Sequence, residues 1–86
     1  MGRPINELDH RLAAELDHAR DMLMLMGDDL STDFAVVSRH GVSLQAVDIV
    51  GQMLGHIASV IRADDRAAAV GRIGMCELKT KLSRAA

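Results

Sequence analysis

The stretch Val47-Asp48-Ile49-Val50-Gly51-Gln52-Met53-Leu54-Gly55 decides the fold. At about 100° per residue, Val47, Val50 and Leu54 share one side of a helix. Ile57 and Ile61 continue that side, Ala46, Met53 and Val60 widen it, and Ile49 extends it. An apolar arc of about half the circumference is wider than a single contact needs. This helix is therefore expected at the centre of the molecule, from Leu44 to about Ala63, with Ser43 as its N-cap. The opposite arc carries Gln45, Asp48, Gln52, His56 and Ser59, with Gly51 and Gly55 on its edge. Each glycine costs roughly 1 kcal/mol in a helix interior relative to Ala. Two of them, four residues apart, point to a close approach by another backbone, from a neighbouring helix or a partner.

Upstream, Leu8, Leu12, Leu16, Ala19, Leu23, Met26 and Leu30 step by three and four, which predicts one helix from Asn6 to about Leu30. Pro4 just ahead of it, Asn6 as N-cap and Asp9 three residues on favour a start there. Ser31 or Thr32 can cap a short second helix to about His40, which Gly41 is expected to end in a left-handed turn. Downstream, Asp64-Asp65 supply a cap for a last region. Gly71 and Gly74 weaken that region, which is expected as one helix or as two pieces, about 66–72 and 75–84, with Met75, Leu78 and Leu82 at helical spacing. Nothing alternates with period two. The expected fold is all-α: a small bundle of three to four helices over residues 1–86, a single domain. Its long first and third helices would pack antiparallel.

The core has little to work with. There is no Trp or Tyr, and Phe34 is the only aromatic residue among 86. A small aliphatic core of this size is marginal alone. A homodimer is expected, paired along Met22, Leu25 and Met26 or along Gly51 and Gly55. Met24 and Leu25 lie off the main stripe, which supports a second buried contact.

The formal net charge is −2, so the chain as a whole is not a polycation. Residues 1–43 set four arginines against eight acids, a balance of −4, and residues 66–86 set five cations against Glu77, a balance of +4. The basic end complements the C-terminus of a last helix. Cys76 is the only cysteine and cannot close an intramolecular disulfide. There is no run of ~18 apolar residues to span a membrane, and residues 1–10 hold no apolar signal core. A bacterial, cytoplasmic protein without membrane contact is the expectation.

Asp48-Ile49-Val50-Gly51-Gln52 resembles the Asp-x-x-Gly-Gln segment of the chemotaxis phosphatase CheZ family. The resemblance covers five residues, three of them identical to the motif. That family forms dimeric bundles of long helical hairpins, and its proteins are more than twice this length. The resemblance implies that Gln52 would orient the attacking water in a phosphorylated response-regulator receiver. Asp48 would pair with the receiver's lysine. The receiver would bring the metal and the aspartyl phosphate, so positioning and charge would be this chain's part. Gln45, Gly51, Gly55, His56 and Ser59 would complete the partner surface.

Val36 to Val47, with Gly41-Val42-Ser43 in the turn position, is similar to the helix-turn-helix pattern of bacterial repressors. Val37 departs from it, where a small residue is needed. Asp48 on the outward face and the lack of a basic footprint make nucleic acid the weaker partner. Glu7-Leu8-Asp9-His10 and Glu15-Leu16-Asp17-His18 repeat a Glu-x-x-His spacing used in di-iron bundles. Eight residues rotate by about 80°, so the two pairs face different ways, and no metal or other cofactor is expected. Cys76 has no histidine nearby to activate it. A non-enzymatic interaction or dimerisation module is the leading expectation. A receiver-directed phosphatase and a DNA-binding regulator are the alternatives.

Overall fold

The computed structural model describes residues 5–84; Pro4 and its contribution to the first helix start lie outside them. Four helices follow in order: α1 (Glu7–Leu30), α2 (Phe34–Arg62), α3 (Arg66–Gly71) and α4 (Cys76–Ser83). The described residues contain no strand.

The start of α1 is as the sequence predicts. Asn6 caps it, with the Asp9 amide donating to Asn6 Oδ1 at 2.8 Å and the Asn6 amide donating to Asp9 Oδ2 at 3.3 Å. This reciprocal capping box satisfies two of the free amide donors at the helix end. The other end differs from expectation. Asp33, not Ser31 or Thr32, caps α2, accepting from the amides of Ala35 and Val36. The Ser31 and Thr32 hydroxyls instead donate to the Gly27 and Asp29 carbonyls at 2.7 and 2.8 Å, closing α1. Hydroxyls can satisfy either helix end, and here the carbonyls left free by α1 claim them.

Gly41 does not end a helix. The expected short helix and the expected central helix do meet at a break, at His40 (φ −127°, ψ 26°), but the break is a kink between two helical stretches that run on as one element, α2, and not a left-handed turn. Gly41 has no positive φ. A glycine inside a helix costs roughly 1 kcal/mol, a cost that the helical stretches on either side of the kink absorb. The last region does divide in two. Asp65 caps α3 through the Ala68 amide at 3.0 Å, and α4 starts after Met75.

The α1–α2 hairpin is the frame. Contacts pair Gly27 with Val47, Met24 with Gly51, Arg20 with Gly55 and Asp17 with Arg62. Numbers rise along α1 as they fall along α2. A side chain at Gly51 would run into Met24, whose Sδ lies 3.1 Å from the Cβ position, and one at Gly27 would meet Val47 Cγ1 at 3.1 Å. The helices thus approach closely where glycine permits it. At the other end the seam is ionic: Arg62 pairs with Asp17 at 2.6 Å, and Arg66 with the buried Asp9 at 3.1 Å.

The far edge of α2 holds α3 and α4. Val70, Ile73 and Leu78 form the one buried apolar cluster among the described residues, with Met53, Val60, Met75 and Leu82 packed against it. Among the described residues no large side chain is fully enclosed, whereas Ala13 and Ala58 are. The molecule measures 50 × 26 × 14 Å, so it is one helix thick. Its radius of gyration is 15.3 Å, against about 12 Å for a compact domain of this length.

Candidate functional site

Rotation at about 100° per residue relates side chains to the seam. On α1 the seam side carries Asp9, Ala13, Asp17, Arg20, Met24 and Gly27. The Leu8–Leu30 stripe lies about 110° away. On α2 the seam side carries Val47, Gly51, Gly55, Ala58 and Arg62, and Val50, Leu54, Ile57 and Ile61 lie about 80° from it. Because the two helices run in opposite directions, both apolar sets fall on the same side of the layer. The other side is polar, with His10, Asp21 and Asp28 from α1 and Asp48, Gln52 and Ser59 from α2. The hairpin is two-faced.

The sequence-predicted residues distribute across this plan. Gln45, Asp48, Gln52 and Ser59 are exposed, and His56 is half-buried. Asp48 and Gln52 stand one turn apart on the polar face. Gln45 and Asp48 line an open cleft of about 400 Å³ at the hairpin tip, with Gly27, Asp28, Ser31 and Leu44 among its walls. His56 and Ser59 line a separate cleft of about 220 Å³ against Ala69, Arg72 and Ile73. The expected surface is therefore split between the tip and the α3 edge. Gly51 and Gly55 are not outward: Gly51 is buried against Met24, and Gly55 faces Arg20 Nη1 at 3.2 Å. They admit α1, so the close approach their sequence implies is made within the chain.

The two Glu-Leu-Asp-His repeats also resolve into separate roles. Glu7 pairs with Arg11 at 2.8 Å, and Glu15 lies 3.7 Å from His18 Nδ1, all on the surface. Their aspartates, eight residues apart, turn to the seam and take Arg66 and Arg62. The matching four-residue spacing of Arg62 and Arg66 was the signal in the sequence, and the histidines drew attention from it. Among the described residues no group of three or more His, Cys, Asp or Glu is placed to hold a metal ion.

Sequence reasoning expected uncovered apolar area at Met22, Leu25 and Met26, and these are exposed; it missed how far the open face extends along α1. Leu8 is 61% exposed, Leu12 47%, Met22 60% and Met26 51%. Ala19, Met22, Leu23 and Met26 line an apolar hollow on α1. The periodicity showed the stripe but not that α2 would dock beside it. Residues 41–43, the turn of the helix-turn-helix pattern, are helical. Of the described helices, α2 is long and apolar enough to cross a membrane by length and composition, although its apolar run is interrupted.

No protein-family model matches the chain, and neither a curated protein nor a solved structure gives a match.

Proposed function

We propose that this chain is a helical self-association module, a homodimer whose subunits meet through apolar helix surface. One observation carries this: a folded hairpin leaves Leu8, Leu12, Met22, Met26 and Leu30 exposed along α1, with Leu16 and Leu23 half-buried between them, on a layer one helix thick. Helices bury such stripes against a second layer, and contiguous exposed apolar surface of this kind marks an interaction site. A dimer would set α1 and α2 of each copy into an antiparallel four-helix arrangement. Light scattering on the eluting protein tests it. The expected mass is twice 9.3 kDa. A mass of one chain at every concentration up to millimolar contradicts it.

A second reading has its own support. Asp48 and Gln52 are exposed on the polar face and make no side-chain hydrogen bond or ion pair with other described residues. That face is acidic, which suits the lysine of a phosphorylated receiver. On this reading Gln52 orients water and Asp48 binds the lysine, on the side left free by the dimer. The test is the rate of phosphate loss from receivers encoded near this gene. Acceleration abolished by Gln52→Ala supports it; no acceleration of any of them removes it. No observation in the fold favours DNA binding.

A further inference from the structure

We infer that the second copy lies on one particular surface: the face formed by the Leu8–Leu30 stripe of α1 together with Val50, Leu54, Ile57 and Ile61 of α2. This rests on the self-association reading and adds to it the face and the manner of closure. Three other apolar surfaces compete: Leu25 on the outer side of α1, Val42 and Ile49 on the edge of α2 beyond α4, and Phe34 at the tip. Each is a single residue or a short patch. The favoured face draws on both helices and runs the length of the hairpin.

Its shape suits an identical partner. A two-fold interface must supply both the projections and the hollows it meets. Met22, Leu23 and Met26 line the hollow at Ala19, and Met22 and Met26 are themselves exposed, so one surface offers both projections and a recess.

The areas agree. The chain exposes 6223 Å², against about 5,000 Å² for a compact monomer of its mass. Two copies closed into one compact body would bury about 4,200 Å² in total, about 2,100 Å² from each. Obligate homodimers bury about 2,000–5,000 Å². Closure on this face makes two layers from one, keeps both polar faces outside, and leaves α3 and α4 at the outer edges.

Sedimentation equilibrium on the full chain and four single variants tests the assignment. Met26→Lys and Leu12→Lys place a charge on the favoured face, and both positions are half-open in the single chain, so the fold tolerates them. Leu25→Lys and Val42→Lys place the same charge at positions 70% and 83% exposed elsewhere. The expected result is a dimer whose dissociation constant rises at least about 30-fold in the first two variants and changes by less than about 3-fold in the second two. A wild-type dimer indifferent to Met26→Lys and Leu12→Lys overturns the face and leaves self-association standing. A wild-type monomer overturns both. Phosphatidylcholine–phosphatidylglycerol vesicles are the remaining probe. If the chain binds them through Met26 and Leu12 and does not dimerise without them, a membrane is the occupant and the second copy is not.

Discussion

At one end of the molecule α2 has α1 on one side and α3–α4 on the other; at the other end it has α1 alone. The first end holds Val70, Ile73 and Leu78 in a buried cluster and the Asp9–Arg66 and Asp17–Arg62 pairs across the seam. The second, residues 22–50, contains no buried residue. Yet this tip is built from the same material: Met22, Leu25, Met26, Leu30, Phe34, Val37 and Val42 are all large and apolar. Apolar content is thus a poor guide to where a small chain is held together. What decides is whether α2 has neighbours on both sides, and among the described residues the closed end has them and the tip does not.

The comparison breaks most directly at Leu78. Leu78→Ala should cost about 3 kcal/mol, since it removes a leucine from the buried apolar cluster. Phe34→Ala at the tip should cost less than about 0.5 kcal/mol in the monomer. Urea unfolding of both variants at low concentration measures the pair. Equal costs would mean that the tip is packed as tightly as the closed end.

Arg66 comes next. Its guanidinium donates to the Ile61 carbonyl at 2.9 Å and pairs with the buried Asp9. Arg66→Ala leaves a buried carboxylate weakened, but Asp9 keeps the Asn6 amide. The expected loss is about 2 kcal/mol, seen as a lower thermal midpoint together with faster amide exchange in α3 and α4. Unchanged exchange there would show that Arg66 does not tie the start of α3 to α1.

Asp17 bridges Arg62 and Arg20 at 2.6 and 3.2 Å from a partly exposed position. Asp17→Asn should therefore cost only about 1 kcal/mol. Raising the salt concentration should shrink the difference from wild type, because exposed pairs are screened. A difference independent of salt would point to packing instead of charge.

The smallest effect separates the glycines. Nothing lies within 4 Å of a Cβ built at Gly41, and its φ is not positive. Gly41→Ala should stabilise by up to about 1 kcal/mol. At Gly51 the same helix gain is offset by displacing Met24, and Gly51→Leu should be clearly destabilising. Calorimetry on the three variants gives the order, and a destabilising Gly41→Ala would show that the His40 kink depends on glycine.

These contrasts explain what was legible in the sequence. Asn6 and Asp9 announced the start of α1 because a capping box is local. The split of the last region was legible for the same reason, since Gly71 and Gly74 weaken a helix wherever it packs. The break near His40 was legible from Gly41, but not that helix resumes at once through residues 41–43, because Gly41 and Ser43 carry turn and cap chemistry that the helix overrides. Nor was the direction of Gly51 and Gly55. Periodicity places them at the edge of the apolar arc but does not name the neighbour that needs them. The site followed suit: the exposure of Asp48 and Gln52 could be read from helical phase, whereas the open apolar face depends on where α2 docks on α1.

Isotope-filtered nuclear Overhauser spectroscopy on a mixture of methyl-labelled and unlabelled chains tests the central claim most directly. The account predicts contacts between copies involving the methyl groups of Leu12, Leu23, Met26, Val50 and Leu54. Contacts between copies confined to Leu25, Val42 or Ile49, or none at all in a sample at millimolar concentration, would contradict it.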